Sequence, residues 1–221
     1  VKIRVCDTMG YGVPYTEVAL PRSVPGIIYG LQHYSDVPSE MLEWHGHNDF
    51  YKSVTNATTA WLYGASGVNC SLLGIGERTG NVDIVTLALN LYSQGVEPNL
   101  DFSNLPAITE VYERVTRMKV YERQPYSGQL VFAAFSGSHQ DAIAKGMKFR
   151  AERGNGEWTV PYLPIDPADV GREYEADVIR INSQSGKGGI GYILETQFQL
   201  LLPKKMREVF GYHVKKISDQ A

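Results

Sequence analysis

Strand-like and helix-like patterns of apolar residues alternate three times within the first hundred residues of the chain. Residues 1–6 are β-rich, Pro14, Pro21 and Pro25 punctuate the loop after them, and a helix is predicted over 26–35. A second short strand is read over 41–45, with polar residues at its end and a helix over 50–64. Residues 67–73 form a third apolar strand pattern, followed by a helix over 81–92. Regular alternation of this kind is the mark of a parallel α/β sheet, in which each crossover runs through a helix. Beyond it the signals turn helical, over 105–118 and 138–150, with a break at 125–128. Two β-like runs, 173–182 and 190–200, are joined by Ser-Gly-Lys-Gly-Gly, a natural hairpin connection, and a helical tail is expected over 204–217.

Three strand–helix units cannot close a barrel, which needs eight strands and about 250 residues. An open three-stranded parallel sheet would leave unpaired edges and an uncovered face. Something outside these units is therefore expected to complete the sheet. The chain opens on Val1 with no methionine or leader segment, which is read as a cut into a longer protein or as a natural split subunit.

Composition narrows the function classes. At 221 residues and 43% hydrophobic content, the chain is long enough to bury a core, and its net charge of −3 offers no basic stripe for a phosphate backbone. Nucleic acid is not expected as a partner. Nor is a membrane, because no apolar run approaches the roughly 20 residues that span a bilayer. Cys6 and Cys70 lie in separate apolar runs without metal or disulfide spacing, which suggests reduced thiols and a cytoplasmic location.

The strongest chemical signal is His45-Gly46-His47. Residues i and i+2 of a strand point to the same side, so two imidazoles at a strand end can converge on one divalent cation. Asn48 and Asp49 add polar groups beside them. Taken alone, the spacing fits two structural histidines equally well. The glycine-rich run 74–81 lies between a strand and a helix, where its backbone can approach a ligand or merely turn tightly. Gly186, Gly188 and Gly191 match a phosphate-binding pattern in letters only; the residues after them are β-like rather than helical, so the glycines are read as a hairpin turn. His139, near a predicted helix start, and Tyr162, between Pro161 and Pro164, would each pass for structural residues.

In order and wording these segments resemble the α-isopropylmalate synthase branch of the metal-dependent Claisen condensation family. The resemblance runs through Cys6-Asp7-Thr8-Met9-Gly10-Tyr11, His45-Gly46-His47-Asn48-Asp49, residues 74–81, 135–146 and 160–193, nearly the whole chain. It implies the carboxy-terminal part of a TIM (β/α)8 barrel over residues 1–104, then a small α+β linker subdomain over 105–221, without the family's regulatory domain. It also implies a divalent metal ion (Mg, Mn or Zn) at His45 and His47, with Asn81 a nearby site residue, and a keto acid carboxylate contacted by Thr8. His139 and Tyr162 resemble the catalytic histidine and tyrosine that the linker subdomain of one subunit places in the barrel of its partner, so a homodimer is implied. The co-substrate would be acetyl-CoA and the keto acid 2-ketoisovalerate, on the route to leucine.

Two departures qualify this. The family's opening Arg-Asp-Gly motif, with the metal aspartate, and its catalytic glutamate have no counterpart here, so an amino-terminal barrel half is required as partner and the chain alone is expected to be inactive. Phe50-Tyr51 stands where many members carry glycine, which bears on the keto acid pocket. Homocitrate, citramalate or Re-citrate synthesis, or a non-catalytic subunit, are the competing readings.

Overall fold

A computed structural model describes residues 2–154, 156–175, 194 and 198–218. The chain divides into two compact units, Val1–Leu100 and Asp101–Ala221, beside the predicted break at 104.

In the first unit, β1 (Ile3–Asp7), β2 (Leu42–Gly46) and β3 (Gly67–Val68) form a parallel sheet in that order. The register sets Val5 opposite Trp44 and Cys6 opposite His45. Each crossover is a helix, α1 (Val24–Tyr34) and α2 (Ser53–Leu62), as parallel pairing requires. The predicted third strand, 67–73, is broken: β4 (Cys70–Ser71) leaves the first sheet to pair with β5 (Val82–Asp83). Leu73 then takes a left-handed backbone conformation inside a single 3-10 turn, Leu72–Gly74, which ends the extended run. Helix α3 (Ile84–Tyr92) starts where the Asp83 carboxylate accepts from the Val85 and Thr86 amides, later than the 81 predicted.

Period-two alternation along β2 divides its side chains between two faces. Leu42 and Trp44 are buried against Val24 and Ile28 of α1 and Ala57 and Ala60 of α2. Each large aliphatic side chain buried there contributes about 1.5–3 kcal/mol. On the opposite face stand Arg4, Cys6, Glu43 and His45, and Arg4 and Cys6 remain exposed. The sheet is thus covered by helices on one side and carries a polar face, with an ion pair between Arg4 and Glu43 at 3.1 Å, on the other. Among the described residues β1 is an edge strand.

In the second unit, α4 (Leu105–Thr116) is capped by Asn104 and ends on Arg117 in a left-handed conformation. Helix α5 (Gly137–Arg153) runs longer than the predicted 138–150, closing on Gly154. Leu105, Phe132, Ile143, Val160, Leu163 and Val170 are buried in this unit. Arg172 stacks over Phe132 and donates to the carbonyls of Tyr126 (3.1 Å) and Gly128 (2.6 Å), holding the turn at the predicted break. The predicted hairpin, with Gly186, Gly188 and Gly191, lies mostly outside the described residues; Glu173–Glu175, where its first run begins, is not strand. The tail forms α6 (Lys204–Ser218), close to the helix predicted over 204–217. Among the described residues no helix is long and apolar enough to cross a membrane.

Candidate metal centre and ring pair

His45 is the penultimate residue of β2 and His47 follows the strand, in an isolated bridge with Asn81. Both imidazoles are half-buried. Their Nε2 atoms lie 3.3 Å apart and their rings meet edge to face, with centroids at 5.1 Å. Gly46 between them belongs to the other face, where a Cβ would stand 2.9 Å from the Trp44 indole nitrogen. The middle residue of the motif must therefore be small because the core passes beneath it.

The pair fits a divalent cation on geometry. Two nitrogens each about 2.0–2.1 Å from one ion stand about 2.8–3.4 Å apart at octahedral to tetrahedral angles. The observed spacing lies in that range. Burial, the neighbouring His47 and Arg4 lower the pKa of His45, against an opposing hydrogen bond that its imidazole donates to the Asn69 side chain. A lowered value keeps the imidazole neutral, the form that binds a metal. Among the described residues Nδ1 of His47, which is buried, meets no hydrogen-bond partner. Among the described residues no cluster of three or more His, Cys, Asp or Glu side chains is placed to hold a metal.

Around the pair, three loops converge at the carboxyl ends of the strands. Asn81 Nδ2 donates to the Gly46 carbonyl at 3.1 Å, which sets Asn81 beside the imidazoles. The His47 amide donates to the Asp7 carbonyl (3.2 Å) and the Asn48 amide to that of Gly80 (3.0 Å). Asn48 Oδ1 accepts from the Ser53 amide and hydroxyl, which is why α2 starts at Ser53 rather than at the predicted 50. Thr8 is exposed on the loop after β1, and its carbonyl accepts from Arg78 at 2.6 Å. Arg78 also grips Asp49 with Nε to Oδ1 at 2.8 Å and Nη2 to Oδ2 at 3.1 Å, holding the Asp49 carboxyl below its ordinary range. Sequence reasoning passed over Arg78; its one signal was a charged side chain within a glycine-rich turn.

In the second unit, His139 and Tyr162 are brought together. Their rings stack with centroids 4.0 Å apart and planes inclined by 23°. His139 lies in the first turn of α5, and Tyr162 sits on a loop with φ of 65°, the residue 61% exposed. Three contacts hold that loop: Trp158 Nε1 donates to the Leu163 carbonyl (2.7 Å), Arg150 packs over the Trp158 ring, and Arg150 pairs with Asp166 at 2.9 Å. None of these partners was a candidate on sequence.

Residues 1–111 match the family model described as HMGL-like, and residues 129–195 match the one described as alpha-isopropylmalate synthase, post-catalytic domain-like. The chain is 57% identical to a 2-isopropylmalate synthase from Helicobacter hepaticus over 93% of its own length and 37% of the relative's. It is 59% identical to one from Desulfitobacterium hafniense over 87% of its length and 35% of the relative's. A third, from Clostridium acetobutylicum, is 56% identical over 82% of the chain and 32% of the relative. The chain thus spans about a third of the length of these curated relatives.

Proposed function

This chain belongs to the HMGL-like family, and from that membership we propose that it is the part of a 2-isopropylmalate synthase that carries two of the metal ligands and the linker pair, working with an amino-terminal barrel half. The observation that carries the reading is the convergence of His45 and His47 Nε2 at 3.3 Å, at the carboxyl end of a parallel strand, where barrel active sites are built. The exposed Arg4–Cys6 face and the edge position of β1 support a partner that completes the ring of strands.

His45 and His47 would hold a divalent ion with a carboxylate from the amino-terminal half, and Asn81 stands beside them. That ion, when bound, would polarise the ketone of 2-ketoisovalerate. Thr8 would meet the keto acid carboxylate. A base takes a proton from the methyl of acetyl-CoA, that carbon bonds to the ketone carbon, and the new oxygen is protonated; water then cleaves the thioester and releases CoA. His139 and Tyr162 would serve these proton transfers from the linker subdomain of a second subunit, which makes the enzyme a homodimer. Stacking holds the two rings together while the Tyr162 face stays accessible, as a delivered pair requires. The cytoplasm is the expected compartment.

The test combines the chain with a matching amino-terminal half and follows CoA release with 2-ketoisovalerate beside a panel of other 2-keto acids. Turnover should require both halves, prefer 2-ketoisovalerate, and be lost in His45→Ala and His47→Ala. A folded complex that releases no CoA with any keto acid refutes the reading.

A further inference from the structure

Arg78 lies in the glycine-rich loop, yet its side chain reaches two other loops at once. Its fork takes both oxygens of Asp49, in the turn after β2, and one of its nitrogens also meets the carbonyl of Thr8, in the loop after β1. The residue itself sits at a φ of 54°, a left-handed conformation that non-glycine residues seldom adopt and that persists only where surroundings impose it. Its own loop is pinned: Gly80 donates to Glu77 (2.9 Å), Asn81 to Gly74 (3.0 Å), and Asn48 to Gly80 (3.0 Å). The turn carrying His47 is therefore tied to the glycine-rich loop through backbone. Arg78 adds the Thr8 carbonyl to that frame.

We propose that Arg78 is a positioning residue, which fixes Thr8 against the His45–His47 pair by bridging the Asp49 carboxylate and the Thr8 carbonyl. The inference rests on the site being that of a 2-keto acid held by metal and Thr8. A guanidinium can make this arrangement because its planar fork supplies two parallel donors to the carboxylate and a further N–H for the carbonyl; an ammonium cannot reproduce it. The side chain of Arg78 meets Asp49, Glu77 and the Thr8 carbonyl, so its loss acts through Thr8.

The test uses the assembled enzyme with Arg78→Lys, Arg78→Gln, Asp49→Asn and the Arg78→Gln/Asp49→Asn double variant. KM for 2-ketoisovalerate should rise about ten-fold or more while kcat changes by less than about three-fold, since an interaction that aligns bound substrate is lost. The double variant should be no worse than Arg78→Gln, because both changes break one bridge. Amide hydrogen exchange over residues 8–12 should quicken about ten-fold in Arg78→Gln and Asp49→Asn, with α2 unchanged. A fall in kcat with KM unaltered, additive single effects, or unchanged exchange over 8–12 overturns the proposal. If the parent enzyme turns over no keto acid, the functional reading fails, and the exchange experiment still decides whether Arg78 holds the loop. Should Arg78→Gln not fold, Asp49→Asn removes the same bridge from its other end.

Discussion

Three glycines near the candidate metal centre and beyond it separate two physical costs of adding one methyl group. Gly95 has a φ of +78° and open space around it, so alanine there pays only for left-handed backbone. That is about 1–2 kcal/mol, offset by about 0.4–1 kcal/mol of lost freedom in the unfolded chain. Gly76 has an ordinary backbone, but its added Cβ would lie 2.0 Å from Asn81 Oδ1. The carboxamide must turn away and surrender its 3.1 Å bond to Gly46. One hydrogen bond at about 1 kcal/mol and overpacking at about 1–3 kcal/mol give a loss of about 2–4 kcal/mol. Gly80 combines both: its φ is +92°, and a Cβ would stand 1.9 Å from the Gly74 carbonyl oxygen, which cannot rotate away. Relief would break the bonds Asn81–Gly74, Gly80–Glu77 and Asn48–Gly80, so Gly80→Ala should cost more than about 4 kcal/mol. Urea denaturation of the three alanine variants in the assembled enzyme measures the order Gly95, Gly76, Gly80. Divalent metal affinity should weaken in Gly76→Ala and stay at the parent value in Gly95→Ala. A Gly80→Ala protein within about 1 kcal/mol of Gly95→Ala would show that the glycine-rich loop is not packed as described and would remove the ground for placing Asn81 beside the imidazoles.

Burial, and then the Asp83 carboxylate, push the Cys70 thiol up to about 11 from 9.0, while Cys6 is exposed; a thiol reagent near neutral pH should modify Cys6 first, and equal native rates refute this. Because the folded chain favours the protonated Cys70 thiol, that contribution to stability is complete below 9.0 and lost as pH rises towards about 11, a loss that Cys70→Ala should lack in alkaline denaturation. Arg172 has a side chain only 9% exposed and serves three carbonyls and Glu175, so Arg172→Met should lower stability by about 2–4 kcal/mol in a denaturant titration. Lys145→Met, at an exposed pair with Asp141, should stay within about 0.5 kcal/mol, and equal effects refute the contrast. Tyr162→Phe keeps the stacked ring and removes the hydroxyl, so it should leave stability within about 1 kcal/mol while lowering turnover of the assembled enzyme by about 100-fold or more. Full activity in Tyr162→Phe and His139→Ala would end their assignment to proton transfer.

What the sequence disclosed and what it withheld divide along the range of the forces involved. The direction of His45 and His47 follows from the two-residue repeat of a strand, a property of neighbours in the chain, and it was legible. The strand–helix alternation was legible for the same reason, because the change from period two to period 3.6 is local. Helix starts moved where a preceding side chain took up the free amides, Asn48 five residues before Ser53 for α2 and the adjacent Asp83 for α3. The third strand was read too long because apolar content does not reveal that Leu73 turns left-handed and releases the chain to a second sheet. Longer-range relations left no periodic trace at all. The stack of His139 on Tyr162 depends on Trp158, Arg150 and Asp166 folding the loop back, and each of those residues alone reads as an ordinary surface side chain. Arg78 is the sharpest case: its function exists only once three loops from separate strand–helix units have met, so no window of sequence contains it. Resemblance to a family names a site's ligands; the residues that hold those ligands in place emerge from the packing, and they are where variation between relatives can change behaviour without changing the motif.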